Sequence, residues 1–138
     1  LSVNSDSVLM QPLRTIQFAL AALWLYQGLV PKILFQSTAE LQIWQNMGVS
    51  LLLAKSLVGL SGLCEMLFGL CFLKWNRSLL LHGLNIAGLG GLLLLIVLTD
   101  PLQLIAAFNP VVMNIAMLML SVLAIQMIQQ GQRETLRQ

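Results

Sequence analysis

The sequence predicts an all-α integral membrane protein, a four-helix bundle of up-down-up-down topology. Of its 138 residues, 58% are hydrophobic and only 9% are charged, whereas a soluble domain carries roughly 25% charged residues. Four apolar runs are each long enough to cross a hydrocarbon core, which takes roughly 20 residues. Backbone groups in lipid must pair within their own segment, so each run is expected to be a helix. The length fits one transmembrane domain over residues 1–138.

The spans follow one another with short connections, which favour antiparallel neighbours. Their predicted ranges are about 13–31, 50–73, 79–98 and 110–128. Residues 1–12 are polar and do not read as a signal peptide, so the first run is expected to stay as a helix. The third run stops at Asp100. Asn109 is a natural N-cap for the fourth, with Pro110 at the first helical position.

A polar stretch from Gln36 to Gly48 separates the first two runs. Ser37 and Glu40 have the spacing of a capping box, which can start a short helix. Three apolar side chains then fall on one face at helical spacing: Leu41, Trp44 and Met47. We interpret this stretch as a short amphipathic helix on the membrane surface, with Trp44 at the headgroup level. An irregular loop is the alternative.

The basic residues predict the orientation of the chain. With four spans, five of the seven basic residues lie on the side of both termini: Arg14, Lys74, Arg77, Arg133 and Arg137. Lys32 and Lys55 lie on the other side. The positive-inside rule therefore places both termini in the cytoplasm. The net charge of +2 gives no reason to expect a nucleic-acid partner. The apolar runs make the lipid bilayer the expected partner.

One carboxylate, Glu65, lies inside the second apolar run, close to the predicted bilayer midplane. A charge there costs at least a few kcal/mol. Small residues of the same helix share its face at spacings of three and four, which predicts that this face packs inside the bundle: Ser61, Gly62 and Gly69. Two interpretations stay open. Glu65 is either a protonated carboxyl that holds helices together, or the acid of a ligand, proton or cofactor site, and it is our candidate catalytic residue.

The other runs offer polar groups to a common interior, and in lipid such groups need partners. The candidate ligand-binding residues are Trp24, Gln27, Lys32, Asn85, Asn109 and Asn114. Lys32 lies at the membrane boundary with a long stem, so it either reaches inward to Glu65 or extends outward to water. His82 shares a face with Asn85 and is interpreted as a packed residue. No metal site is predicted, because there is no cluster of Cys and His ligands.

Several of these pieces resemble a known family. They are Trp24-Leu-Tyr-Gln-Gly-Leu-Val-Pro-Lys32, Glu65, Asp100-Pro101 and Phe108-Asn-Pro-Val-Val-Met-Asn114. Together they resemble the DoxX-like family of small four-helix bacterial membrane proteins, over about residues 13–128. The resemblance implies the bacterial inner membrane and a connection with thiosulfate:quinone oxidoreduction. The family's polar motif falls here on Gln27, Lys32, Glu65, Asn109 and Asn114.

Two functions remain open at this point. In the first, the chain is the membrane subunit of a quinone-linked oxidoreductase, in which Glu65 exchanges the proton and Lys32 or Asn114 bonds a quinone carbonyl. The quinone would then be the cofactor, none being intrinsic to the chain, and a redox partner protein would supply electrons. In the second, the chain is a non-enzymatic assembly partner or a binder of a lipid-like small molecule, and its polar residues serve helix packing. Homo-oligomerisation is open under either function.

Overall fold

The computed structural model describes residues 5–75, 77–107 and 109–137, and every regular element in them is helical. Phe108 of the family motif lies outside the described residues. In chain order the elements are α1 (Ser5–Gly28), a π-helical segment (Leu29–Leu34), α2 (Thr38–Asn46), α3 (Leu51–Lys74), α4 (Leu79–Thr99), a 3₁₀ segment (Pro101–Ile105) and α5 (Pro110–Thr135). The prediction of an all-helical chain is confirmed.

Three of these helices are long and apolar enough to cross a membrane within the described part of the chain, namely α3, α4 and α5. A fourth span results if Met10–Leu34 and Thr38–Asn46 count as one, although they meet at a bend of 76°. The first predicted span therefore qualifies only together with the short helix after it. Length and composition support three or four spans.

The first helix changes its geometry at the point where Pro31 enters it. Pro31 has no N–H and cannot donate to the carbonyl four residues earlier. The segment Leu29–Leu34 is π-helical, and the amide of Phe35 donates to the carbonyl of Val30 over 3.0 Å. The helix thus continues three residues beyond the predicted end at residue 31. Short π-helical stretches are frequent at functional sites.

A short helix does follow, but it does not begin as the capping box predicts. Ser37 is the N-cap of α2, yet its side chain makes no capping hydrogen bond. The apolar face packs on α3, where Leu41 is buried in a cluster with Ala54 and Val58. Trp44 lies against the same cluster, whereas Met47 follows the helix and is exposed. The position of α2 on the membrane surface stays a prediction.

The described chain forms two compact units by its internal contacts. One comprises Ala19–Lys74, and the other combines the described residues before Ala19 with those after Lys74. In the second unit α4 packs along α5. Asn109 caps α5, its Oδ1 accepting from the amide of Val112, with Pro110 next in the chain. The predicted start of that helix is confirmed, and its polar tail stays helical to Thr135.

Candidate functional site

Glycines allow α1 and α3 to approach closely in the unit Ala19–Lys74. A Cβ atom added at Gly62 would lie 2.6 Å from the carbonyl oxygen of Gly28, and one added at Gly69 would lie 2.8 Å from the Cβ of Trp24. Both distances are too short for a real side chain. The small-residue face of α3, which also carries Glu65, therefore packs against the first helix, as small residues do in membranes.

The close approach brings Lys32 to Glu65. The ammonium Nζ of Lys32 donates to Oε1 of Glu65 over 2.5 Å, although 33 residues separate them in the chain. The two side chains are 13% and 16% exposed. Of the two directions open to Lys32 from the sequence, the structure has the inward one. A hydrogen bond between charged groups is roughly twice as strong as one between neutral groups.

A second carboxylate, which the sequence did not bring forward, completes the cluster. Oε2 of Glu40, on α2, lies 3.5 Å from Nζ of Lys32, and its side chain is 32% exposed. The capping-box spacing suggested a local use for Glu40 instead. The sequence could have indicated Glu40 as a second partner of Lys32, because it is the one acidic residue between Lys32 and Glu65. The candidate site is thus one ammonium shared by two carboxylates.

The second carboxylate oxygen of Glu65 is not used in the ion pair. Its Oε2 atom is buried and has no hydrogen-bond partner among the described residues. A carboxylate can accept several hydrogen bonds, and an unpaired buried oxygen costs free energy. This oxygen is the atom of the cluster that a proton or a donor group would stabilise.

Aromatic side chains continue the contact between α1 and α3 away from the ion pair. The ring of Trp24 meets that of Phe68 edge to face at a centroid distance of 5.2 Å, and Phe68 meets Phe72 in the same way at 5.3 Å. Such pairs contribute roughly 0.5–1.5 kcal/mol beyond the area they bury. Trp24 is buried. The structure therefore gives Trp24 a packing role, while its predicted contact with a ligand stays a prediction.

The remaining predicted residues have separate surroundings. Gln27 is half-buried on α1 beside Gly28. Asn109 caps α5, and its Nδ2 donates to the carbonyls of Leu104 and Ala106. Asn114 is buried on α5. Their predicted roles in ligand binding stay predictions.

A buried polar network joins α4 to α5 in the other unit. Nδ2 of Asn85 donates to Oγ of Ser121 over 2.7 Å, and Nδ1 of His82 lies 3.1 Å from the same oxygen. All three side chains are buried. The sequence placed His82 and Asn85 on one face of their helix, but it did not predict Ser121 as their shared partner. Polar side chains that bond across helices in this way hold them together.

Comparison with known proteins places these helices in a family. The profile of the DoxX-like family matches residues 21–122. The chain belongs to the DoxX-like family. The matched region of this DoxX-like protein includes Lys32, Glu40 and Glu65, as well as the network around Ser121. No curated protein and no solved structure matches the chain.

Proposed function

We propose that this DoxX-like protein is a multi-pass protein of the bacterial inner membrane, folded as one up-down-up-down domain. The bent pair of α1 and α2 would supply the fourth span and the helix at the outer surface. In a four-span topology five of the seven basic residues lie on the side of the two termini, which supports cytoplasmic termini. Its apolar helices fit a lipid bilayer.

Within that membrane we propose a quinone-linked redox function, with Glu65 as the acid that exchanges a proton with the quinone or holds it. The observation that carries this proposal is the pairing of Lys32 with Glu65, an acid inside the apolar helix α3. Oε2 of Glu65 is buried and has no hydrogen-bond partner among the described residues. Intramembrane acids mark proton and ligand sites more often than structural ones. The implied association of the family with thiosulfate:quinone oxidoreduction points the same way.

The proposed chemistry needs a partner. Reduction of a quinone to a quinol takes two electrons and two protons. A redox partner protein would deliver the electrons, Glu65 would pass on one proton, and the second proton would come from water. Lys32 would stabilise the charge that develops on a quinone oxygen, as a cation beside a reacting carbonyl does. The further ligand contacts that we propose are Trp24 and Gln27, which belong to the same unit as Glu65. The ligand contacts predicted at Asn85, Asn109 and Asn114 belong to the other unit and stay predictions.

Binding of decylubiquinone to the purified chain in nanodiscs tests this proposal. We expect the wild type to bind and Glu65→Gln to lose roughly tenfold to a hundredfold in affinity, since a hydrogen bond to a charged group contributes about 1.5–3 kcal/mol. Glu134→Gln is the matched control, because Oε2 of Glu134 is also buried without a described partner but belongs to the end of α5. The proposal fails if the wild type binds no quinone, or if both variants bind like it.

A non-enzymatic role is the second candidate, and the close packing at Gly62 and Gly69 favours it. In that case the polar residues hold helices together or bind a partner subunit, a second copy or a lipid-like molecule. Glu65→Gln would then lower the free energy of unfolding or change the oligomeric state, measured by light scattering in detergent, without any effect on quinone-dependent turnover.

A further inference from the structure

We propose that Glu40, Lys32 and Glu65 form a proton path from the water beside α2 to the acid in α3. The inference rests on the proposed role of Glu65 as a proton-exchanging acid and on the proposed position of α2 at the outer surface, and it adds the route by which the proton arrives. Two contacts connect the three groups: Nζ of Lys32 lies 3.5 Å from Oε2 of Glu40 and 2.5 Å from Oε1 of Glu65.

Glu40 is the most exposed of the three side chains. The side chain of Glu40 is 32% exposed, whereas those of Lys32 and Glu65 are 13% and 16% exposed. The ion pairs of the unit Ala19–Lys74 join Lys32 to both carboxylates. Glu40 is thus the member of the cluster that exchanges protons with water most readily, and Lys32 stands between it and Glu65.

Each transfer along the path balances in protons and uses no electrons. When Glu65 takes a proton, an N–H bond of Lys32 breaks and an O–H bond forms on Glu65. Glu40 has meanwhile taken a proton from water. It passes this proton to the neutral amine of Lys32, which restores the ammonium. The net result is one proton moved from water to Glu65.

The longer of the two distances, between Lys32 and Glu40, shortens by side-chain motion. A separation of 3.5 Å is at the limit of a hydrogen bond. Glu40 lies on the short helix α2 and is partly exposed, and exposed side chains change rotamer in picoseconds to nanoseconds. Rotation of the Glu40 carboxylate toward Lys32 therefore completes the path without a change in the helices.

A lysine is required at the middle position, and this separates the proton path from a structural ion pair. A lysine ammonium carries three protons and can release one, whereas an arginine guanidinium stays protonated in proteins. Lys32→Arg keeps the positive charge between the two carboxylates, so it preserves pairing, but it cannot pass a proton on. Glu40→Gln removes the proton acceptor at the water end.

Infrared spectroscopy after a rapid pH change tests the path on the whole chain in nanodiscs. The band of the protonated Glu65 carboxyl is assigned by its loss in Glu65→Gln. We expect Glu65 to take up its proton in Glu40→Gln at a rate lower by roughly tenfold or more, and Lys32→Arg to be slowed at least as much. Glu134→Gln is expected to keep the wild-type rate.

Wild-type rates in both Glu40→Gln and Lys32→Arg would overturn the path, even if decylubiquinone binds and the proposed function stands. A Glu65 band that does not respond to pH in the wild type would overturn it as well. If the chain binds no quinone but Glu40→Gln is slowed, the proposed quinone function is rejected and the proton path stands. If Lys32→Arg does not fold, as judged by circular dichroism, the rate in Glu40→Gln decides alone.

Discussion

Gly62 leaves the space that the stem of Lys32 occupies: a Cβ atom added at Gly62 would lie 2.8 Å from the Cβ of Lys32. Glu65 follows Gly62 by three residues and therefore shares its helix face. The absent side chain of Gly62 thus lets the first helix come close enough for the ammonium of Lys32 to reach the carboxylate of Glu65. Packing and the candidate site depend on the same contact.

Gly62→Ala is expected to destabilise the protein by about 1–3 kcal/mol, because the added methyl group would overlap with Lys32 and with the backbone of Gly28. Unfolding in mixed detergent micelles measures the change. The control is Gly59→Ala on the same helix, since a Cβ there meets nothing within 4 Å. That variant should be neutral or gain up to about 1 kcal/mol from helix propensity. Equal effects of the two variants would contradict this account of Gly62.

The network of α4 and α5 gives a second prediction. Ser121→Ala removes the oxygen to which Asn85 donates and which His82 contacts. We expect a loss of about 1 kcal/mol in the free energy of unfolding, the size found for hydrogen bonds between membrane helices. Ser61→Ala is the control, because its hydroxyl bonds the carbonyl of Val58 in its own helix. An unchanged stability of Ser121→Ala would show that the network does not hold the helices together.

The helices could be predicted from the sequence because the length of an apolar run fixes what can lie in lipid. The last three predicted spans agree with α3, α4 and α5 to within a residue, apart from the polar tail of α5. The first span was harder, because Pro31 changes the helix to π geometry and the chain then bends by 76° into α2. Neither the π-helical segment nor the bend could be predicted from hydrophobic periodicity.

The candidate site could be predicted only in part. Glu65 was evident as a charge in an apolar run. The direction of Lys32 was not, because a long flexible side chain follows the distance between helices, and that distance depends on Gly28 and Gly62. Glu40 was assigned to a local capping box, whereas the structure brings it to Lys32. Glu40 therefore pairs with Lys32 of the preceding helical segment, while the side chain of Ser37 makes no capping hydrogen bond.

Asn109 provides a third prediction, on the start of α5. Asn109→Ala removes the hydrogen bond from the amide of Val112 and is expected to cost about 1 kcal/mol, as the loss of an N-cap does. Asn109→Asp keeps an acceptor for that amide and should retain most of the stability. Hydrogen exchange at the amide of Val112 measures the effect. Loss of quinone binding in both variants at unchanged exchange would instead make Asn109 a ligand contact.

The fourth prediction separates the two carboxylates that share Lys32. Lys32→Met leaves Glu40 and Glu65 facing each other without a cation, whereas Glu65→Gln leaves Lys32 paired with Glu40. Lys32→Met should therefore cost more, about 3 kcal/mol, since breaking a buried pair strands a charge.

The double variant Lys32→Met with Glu65→Gln strands less charge than Lys32→Met alone. Its cost should fall below the sum of the single costs by about 1–3 kcal/mol, a coupling typical of contacting residues. Unfolding of all four proteins in mixed micelles completes the cycle. Additive costs would mean that the 2.5 Å contact between Lys32 and Glu65 contributes nothing to stability. A Glu65→Gln variant costlier than Lys32→Met would mean that Glu40 does not share the ammonium.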